Sequence, residues 1–323
     1  MKIAIMGSIH EDGWKLLKQH NFEVFEITNF ENSFLKKELA DVDGIALRTA
    51  KLNSEVLSSC KKLKIVSRHG VGYDNVDKKF LDNNKIALGI TGTANAVTVA
   101  EHVISMFFYL IKKIHLSDKL TKAGKYKEKN SLEETFEIYN KNILIIGFGR
   151  IGRALAKRCL GFDSKVFVYD PYIKNSDVEK YNCQPINKEE GLKIADYISI
   201  HLPLNQKTKN FISDNEFSLV KKNLIIVNTA RGGIINEKAL ALALKENRIA
   251  GAGIDVFEVE PPVINHPYFN LNNIVLSPHN AALTSECKKR MAIEVCKNII
   301  NFLTKNEELN FNNIVNSEIL NLN

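Results

Sequence analysis

Three side chains with complementary chemistry follow hydrophobic, strand-like segments in the second half of the chain: Arg231, Glu260 and His279. An arginine can hold a carboxylate through two parallel hydrogen bonds, and a histidine can exchange a proton near neutral pH. A carboxylate beside the histidine would orient the imidazole and raise its pKa. Together, the three residues could bind a substrate that carries a carboxylate and transfer a proton to or from it.

A glycine-rich turn, residues 147–152 (GFGRIG), lies between a hydrophobic run and a helix-forming run. A second hydrophobic run, residues 165–169, ends at Asp170. This order of strand, glycine turn, helix, strand and acid is typical of a dinucleotide-binding βαβ unit. In such a unit the first glycine permits the tight turn, the second lets the backbone approach a pyrophosphate, and the third lets the helix pack on the sheet.

Asp170 is placed to accept hydrogen bonds from both ribose hydroxyls of a bound dinucleotide. A carboxylate there would repel a 2′-phosphate, so the sequence favours NAD over NADP. Beside a nicotinamide cofactor, Arg231, Glu260 and His279 could serve hydride transfer to a 2-keto acid. The cation would hold the carboxylate and polarise the carbonyl, and the imidazole would protonate the alkoxide.

The elements that must position these residues alternate between strand and helix in both halves of the chain. This alternation predicts an α/β protein with two Rossmann-like domains, each a doubly wound parallel sheet. We expect a long helix from about Ala96 to Ser117 and another over residues 285–304. We also expect a surface position for His266 and a packed, structural role for His102, while contact of His69 with a substrate stays open.

Charge and composition narrow the class of protein. The net charge of +7 comes from scattered lysines that form no cluster interleaved with aromatic residues, which argues against nucleic acid as a partner. No apolar run reaches the length of a bilayer span, and the five cysteines form no CxxC pair. With an N-terminus unlike a signal peptide, these features predict a cytoplasmic protein with no membrane partner and no metal site.

Three separated segments resemble the signatures of the D-isomer-specific 2-hydroxyacid dehydrogenases: residues 227–233 (VNTARGG), 253–261 (GIDVFEVEP) and 277–279 (SPH). Residues 100–102 (AEH) and the glycine turn agree with the same family. The resemblance covers nearly the whole chain, and the motifs occur in the family's order and spacing. It implies an NAD-dependent oxidoreductase that acts on a small 2-hydroxy or 2-keto acid.

The resemblance also implies a domain organisation. A discontinuous substrate domain, residues 1–98 plus 283–323, would enclose a Rossmann NAD-binding domain, residues 99–282. The active site would be the cleft between the two domains. Because family members usually dimerise through the long helix and its neighbours, we expect a homodimer.

Single residues receive roles from the same resemblance. Arg231 would bind the substrate carboxylate together with the backbone N–H groups of Val71 and Gly72, and Glu260 and His279 would form the acid/base pair. Asp255 would meet the nicotinamide amide. The full set expected at the cofactor is Gly147, Gly149, Arg150, Ile151, Gly152, Asp170, His201, Pro203, Thr208, Thr229, Ala230, Asp255, Ala281 and Val99.

Arg48 and residues 70–77 (GVGYDNVD) are similar to D-3-phosphoglycerate dehydrogenases, in which Arg48 and Asn95 would contact the phosphate. 3-Phosphoglycerate is therefore the first choice of substrate, in a short-type enzyme without a C-terminal regulatory domain. Residues 90–93 and 280–282 depart from the family pattern, so a hydroxypyruvate/glyoxylate reductase or another D-2-hydroxyacid dehydrogenase stays open. A remote alternative is an NAD-sensing binding protein similar to the corepressors built on this fold.

Overall fold

A computed structural model describes residues 1–322, which form two compact units. Unit 1 comprises Met1–Asn95 and the C-terminal segment from Leu283, and unit 2 comprises Ala96–Ala282. Each unit is built on one sheet whose strands pair in parallel. Parallel sheets are buried on both faces by crossover helices. The predicted α/β fold class is confirmed.

The sheet of unit 1 has the strand order β2-β1-β3-β4-β5. Alternate residues of its first strand enter separate cores, since Ala4 and Met6 pack on one face while Ile3 and Ile5 pack on the other. This two-sided burial accounts for the nearly continuous apolar sequence of the strands. The strands are β1 (Lys2–Met6), β2 (Glu23–Ile27), β3 (Gly44–Leu47), β4 (Ile65–Arg68) and β5 (Ala87–Ile90).

The C-terminal helix returns to unit 1 and covers one face of its sheet. Val295 and Ile299 of this helix are buried in the same core as Ile3 and Ile5. It occupies the residues predicted from the sequence, and the side chain of Thr284 caps its first turn. The helices of unit 1 are α1 (Glu11–Gln19), α2 (Asn32–Glu38), α3 (Ser54–Leu57), α4 (Lys78–Asn83) and α12 (Ser285–Thr304), with a 3₁₀ turn at Phe311–Asn313.

Unit 2 contains a seven-stranded parallel sheet in the order β12-β11-β10-β9-β6-β7-β8. The strand order reverses between β6 and β9, so the loops that follow these two strands lie side by side at one edge of the sheet. Open α/β sheets bind ligands at such a switch point. The strands are β6 (Asn142–Ile146), β7 (Lys165–Tyr169), β8 (Gln184–Pro185), β9 (Tyr197–Ile200), β10 (Ile225–Asn228), β11 (Gly251–Ile254) and β12 (Ile274–Leu276).

The first helix of unit 2 is shorter than the sequence predicts. It ends at Lys112 because Lys113 adopts a left-handed backbone conformation with φ 47°, and a second helix starts at Ile114. No helix within residues 1–322 has the length and apolarity to cross a bilayer. The helices are α5 (Ala96–Lys112), α6 (Ile114–Lys122), α7 (Arg150–Leu160), α8 (Asn175–Glu179), α9 (Lys188–Ile194), α10 (Asp214–Phe217) and α11 (Glu237–Lys245), with 3₁₀ turns at Tyr126–Ser131 and Pro267–Asn270.

The glycine-rich turn joins β6 to α7, and each glycine meets a different constraint. Gly147 has φ +93°, and a Cβ there would lie 2.6 Å from the carbonyl oxygen of His201. A Cβ at Gly152 would overlap the carbonyl oxygen of Gly147, which places the start of α7 directly against the turn. At Gly149 nothing lies within 4 Å of the Cβ position, so this glycine leaves open space above the N-terminus of α7.

We predict that Gly152→Ala destabilises unit 2 by about 1–3 kcal/mol, because the added methyl group has no room between helix and turn. Gly149→Ala serves as the matched control, since its methyl group would enter open space at an ordinary φ of −71°. Urea denaturation of both variants measures the effect. Equal stability of the two would show that the turn yields to the methyl group.

Candidate active site

The residues that drew attention in the sequence follow three neighbouring strands of unit 2. Strand β10 ends at Asn228, just before Thr229, Ala230 and Arg231; β11 ends just before Asp255; and β12 ends just before residues 277–279. Because β10, β11 and β12 are adjacent and parallel, their carboxyl ends lie at one edge of the sheet.

His279 and Glu260 are in direct contact. The Nδ1 atom of His279 lies 2.7 Å from Oε2 of Glu260, and the other carboxylate oxygen accepts the backbone N–H of Phe257 at 3.0 Å. An ionised carboxylate can only accept a hydrogen bond, so Glu260 accepts from the Nδ1–H group of His279. The other ring nitrogen, Nε2, is then the one that can act on a ligand. Both side chains are partly exposed, His279 at 49% and Glu260 at 36%.

The loop that carries His279 is held by Asp255, whose side chain is 1% exposed. The carboxylate accepts the hydroxyl of Ser277 at 2.5 Å and the backbone N–H groups of Asn280 and Ala281 at 2.9 and 3.1 Å. The carbonyl oxygen of Asp255 accepts the N–H of His279 at 2.8 Å. His279 itself has φ 51°, a conformation that L-residues keep only where their surroundings impose it.

Arg231 lies on a loop shaped by a buried asparagine. The side chain of Asn228 accepts the N–H of Ala230 at 3.0 Å and donates to the carbonyl oxygen of Arg231 at 2.9 Å. The guanidinium Nη1 of Arg231 donates to the carbonyl oxygen of Ala230 at 2.7 Å. The hydrogen bond to Ala230 thus holds the guanidinium of Arg231 against the backbone of its own loop.

At Gly232 the backbone of the Arg231 loop lies directly against the backbone of the Glu260 loop. A Cβ at Gly232 would overlap the carbonyl group of Phe257 and the nitrogen of Glu258. No side chain separates the two loops at this point, so the spacing between the arginine and glutamate segments is set by main-chain contact. Sequence reasoning missed this role of Gly232, although two glycines directly after a functional arginine are a signal for close backbone approach.

A buried histidine anchors the Glu260 loop from below. His266 is 6% exposed, and its Nε2 lies 3.0 Å from Oε2 of Glu237. The other oxygen of Glu237 accepts the N–H of Glu258 at 2.7 Å. The expectation that His266 lies at the surface was wrong, because its ring packs against Phe257 and Tyr268 and bonds to Glu237 at the start of α11, contacts that no local pattern indicates.

Most of the predicted cofactor residues follow strands of the unit 2 sheet at its carboxyl edge. The carboxylate of Asp170 accepts the N–H groups of Phe148 and Tyr172 at 2.8 and 3.0 Å, which directs it to the glycine turn. Arg150 and Ile151 lie in the first turn of α7. The N–H groups of a first helical turn have no partner within the helix, so they can bind a ligand. Thr229 Oγ1 is buried without a hydrogen-bond partner among residues 1–322, so it has capacity for a ligand.

The remaining cofactor candidates are uncharged, and they range from the buried Val99 and Ala281 to the exposed Pro203. Desolvation of the ring lowers the pKa of His201 to about 3, so this histidine is neutral at pH 7, and its Nε2 lies 2.8 Å from Ser199 Oγ. Thr208 donates its hydroxyl proton to the carbonyl oxygen of Pro203 at 2.6 Å and closes the turn after β9. Val99 and Ala281 are buried apolar residues of the same unit. This apolar, neutral set and the acidic Asp170 fit a dinucleotide without a 2′-phosphate.

Unit 1 carries the predicted substrate residues at the carboxyl edge of its own sheet. Arg48 follows β3 and donates to the carbonyl oxygen of Ser8 at 3.2 Å. Asn95 is buried, and its Oδ1 has no hydrogen-bond partner within residues 1–322. Val71 and Gly72 lie on the loop that follows β4, and neither of them belongs to a regular element.

The loop of Val71 and Gly72 is braced by residues that sequence reasoning did not assign. Arg68 donates through Nε to Asn75 Oδ1 at 3.1 Å and through Nη1 to the carbonyl oxygen of His69 at 2.6 Å. Asn75 in turn donates to the carbonyl oxygen of Ala50 at 2.7 Å. An arginine and an asparagine seven residues apart around two glycines were the available signal.

Comparison with known proteins identifies the family and several relatives of this chain. Residues 104–281 match the family model of the D-isomer specific 2-hydroxyacid dehydrogenase, NAD binding domain. A D-3-phosphoglycerate dehydrogenase of Methanocaldococcus jannaschii is 35% identical over 301 residues, which are 93% of this chain and 57% of that protein. The chain thus spans little more than half the length of this relative.

Two further relatives are matched along nearly their whole length. A glyoxylate reductase of Thermococcus litoralis is 34% identical over 311 residues, 93% of each chain. A crystal structure of D-lactate dehydrogenase from Aquifex aeolicus with NAD and lactic acid has a TM-score of 0.85 and 25% identity, and the match covers 97% of this chain and 98% of that one.

The buried ring of His69 predicts a pH effect on stability. Burial, with help from the positive charges of Arg48 and Arg68, lowers its pKa from 6.5 to about 4. As the pH falls from about 6.5 to about 4, His69 takes up a proton in the unfolded chain but stays neutral in the native state. The free energy of unfolding therefore decreases across this pH range. In urea titrations His69→Gln should remove a slope of up to about 1.4 kcal/mol per pH unit. His20→Gln, at an exposed helix end, is the control, and an unchanged slope in His69→Gln would contradict the assignment.

Proposed function

Because this chain belongs to the D-isomer specific 2-hydroxyacid dehydrogenase family, we propose that it interconverts a 2-hydroxy acid and its 2-keto acid with NAD. The family consists of NAD-dependent oxidoreductases, and NAD is the cofactor of the matched domain. The observation that carries the proposal is the contact between His279 and Glu260 on a loop fastened to the buried Asp255. A proton-transfer pair with one free ring nitrogen is what carbonyl reduction at neutral pH needs.

The chain's own residues divide the work as follows. Arg231 binds the substrate carboxylate and draws electron density from the adjacent carbonyl. The protonated imidazole of His279 donates its Nε2 proton to the carbonyl oxygen during reduction, and Glu260 stabilises the imidazolium through Nδ1–H. When bound, NAD supplies or accepts the hydride. The open space at Gly149, the N-terminus of α7 and Asp170 would hold the pyrophosphate and ribose.

For the substrate we propose 3-phosphoglycerate and 3-phosphohydroxypyruvate. Support comes from Arg48, a half-buried cation at the end of β3, and from Asn95, whose buried amide oxygen lacks a partner among the described residues. Val71 and Gly72 would add backbone N–H groups for the carboxylate. A reductase of glyoxylate or hydroxypyruvate is the second candidate, favoured by the similarity to the glyoxylate reductase of Thermococcus litoralis.

We further propose that residues 1–98 with 283–323 act as the substrate domain and residues 99–282 as the NAD-binding domain. We also propose a homodimer, on the family resemblance, and a cytoplasmic location, on the scattered cysteines and the N-terminus unlike a signal peptide. Sedimentation at the mass of one 36.4 kDa chain would contradict the dimer.

We expect NADH oxidation with at least one 2-keto acid of the set 3-phosphohydroxypyruvate, hydroxypyruvate, glyoxylate and pyruvate. His279→Ala should lower kcat by about 10²–10⁴-fold, because the proton donor is lost while the carboxylate site remains. His115→Ala, an exposed histidine of α6, controls for the loss of an imidazole. Tight NADH binding without turnover of any acid would instead favour an NAD-sensing protein.

The choice between phosphorylated and unphosphorylated acids depends on Arg48. We expect kcat/KM to be highest for 3-phosphohydroxypyruvate and to fall by about 10–100-fold in Arg48→Ala, since a charge-assisted pair contributes about 1.5–3 kcal/mol. Lys51→Ala removes an exposed cation three residues away and should change little. A preference for glyoxylate or hydroxypyruvate that Arg48→Ala leaves intact would favour the second candidate.

A further inference from the structure

His102 on α5 is hydrogen-bonded toward the candidate active site of unit 2. Its Nε2 lies 3.0 Å from Ser277 Oγ, and Ser277 in turn lies 2.5 Å from Oδ1 of Asp255. The imidazole Nε2 itself is 3.9 Å from that same carboxylate oxygen. The sequence predicted only a packed, structural histidine here.

Counting protons fixes the direction of these hydrogen bonds. A serine hydroxyl has one proton, and an ionised carboxylate has none to donate. Since Ser277 gives its proton to Asp255, the oxygen of Ser277 can only accept from His102, so the ring carries its proton on Nε2. The result is a one-way chain of donors, from His102 through Ser277, that ends on the buried carboxylate of Asp255.

The Asp255 carboxylate at the end of this series of hydrogen bonds is a buried charge that needs stabilisation. A buried charge is costly unless hydrogen bonds replace the lost water, and Asp255 is 1% exposed. Its carboxylate accepts the Ser277 hydroxyl and the N–H groups of Asn280 and Ala281. Those two amides directly follow His279 and help to hold it in its left-handed conformation. Ser277 lies on the same loop, so a hydroxyl turned away from Asp255 would remove one of the hydrogen bonds that hold the loop of the imidazole.

We propose that His102 is a positioning residue for the reaction: its Nε2–H orients the Ser277 hydroxyl onto Asp255 and so keeps the His279 loop in place. This inference rests on the proposed function for its effect on turnover, while its effect on the loop is independent of any activity. The hydrogen bond of His102 goes to Ser277, so we assign its effect on the His279 loop to Ser277 and Asp255.

The first test is a double-mutant cycle with His102→Leu, Ser277→Ala and the combined variant. Each single variant should lower kcat/KM for the best 2-keto acid by about 2–10-fold, the equivalent of one hydrogen bond of about 0.5–1.5 kcal/mol. In the Ser277→Ala background, His102→Leu should have no further effect, because the chain is already broken. Effects that multiply in the double variant would overturn the proposal.

Two further variants separate hydrogen bonding from packing. His102→Gln offers an amide N–H near the position of Nε2 and should recover most of the lost activity, whereas a histidine needed only for its volume would be replaced as well by leucine. Glu101→Gln alters the neighbouring, exposed residue that pairs with Arg158 and should match the wild type. Failure of glutamine to outperform leucine would contradict the donor role.

Hydrogen exchange tests the loop without relying on turnover. In His102→Leu, the peptide that contains Asn280 and Ala281 should exchange roughly ten times faster than in the wild type, while peptides of unit 1 should stay unchanged. If the wild type reduces no 2-keto acid but the exchange shifts as expected, the proposed function fails and the positioning role stands. Unchanged exchange in this peptide overturns the positioning role whatever the activity.

Discussion

The candidate active site of unit 2 depends on one buried charge, the carboxylate of Asp255. Directly after β11, it gathers the hydroxyl of Ser277 and two backbone N–H groups from the loop that follows β12. Its own carbonyl oxygen takes a further N–H, that of His279. A residue at the end of one strand thereby ties down the loop of its neighbour. These hydrogen bonds help to hold the left-handed backbone of His279 and the position of its ring beside Glu260.

In the pair of His279 and Glu260, the backbone is held rigidly while the side chains stay accessible to a ligand. The backbone around His279 is fastened from the buried side, yet the ring itself remains about half exposed. Glu260 is similarly held by the N–H of Phe257, and the loop below it rests on the buried pair of Glu237 and His266. Both side chains can therefore meet a ligand at little cost in conformational entropy, because their positions are largely set beforehand.

Patterns of local sequence predicted those parts of the molecule that local physics controls. The alternation of strand-like and helix-like segments indicated the parallel sheets, and the glycine spacing of residues 147–152 indicated the turn before α7. The last helix occupies the predicted residues, and the structure shows that Thr284 caps its first turn. Lys113 did not signal the break after α5, because lysine has no preference for the left-handed conformation that it adopts there. The partners of His266 and His102 come from distant segments, so no pattern near either residue could show them.

The main-chain contact at Gly232 has a consequence for how this site can change. The carbonyl group of Phe257 lies where any side chain at position 232 would begin, so the two loops share a spacing that no substitution can adjust gradually. Arg231 and Glu260 flank this contact and behave as parts of one template. Attempts to broaden the range of accepted molecules by mutagenesis would have to leave this template untouched and alter surrounding positions. The contact fixes the distance between the two loops, so substitutions can change the site only at the positions around it.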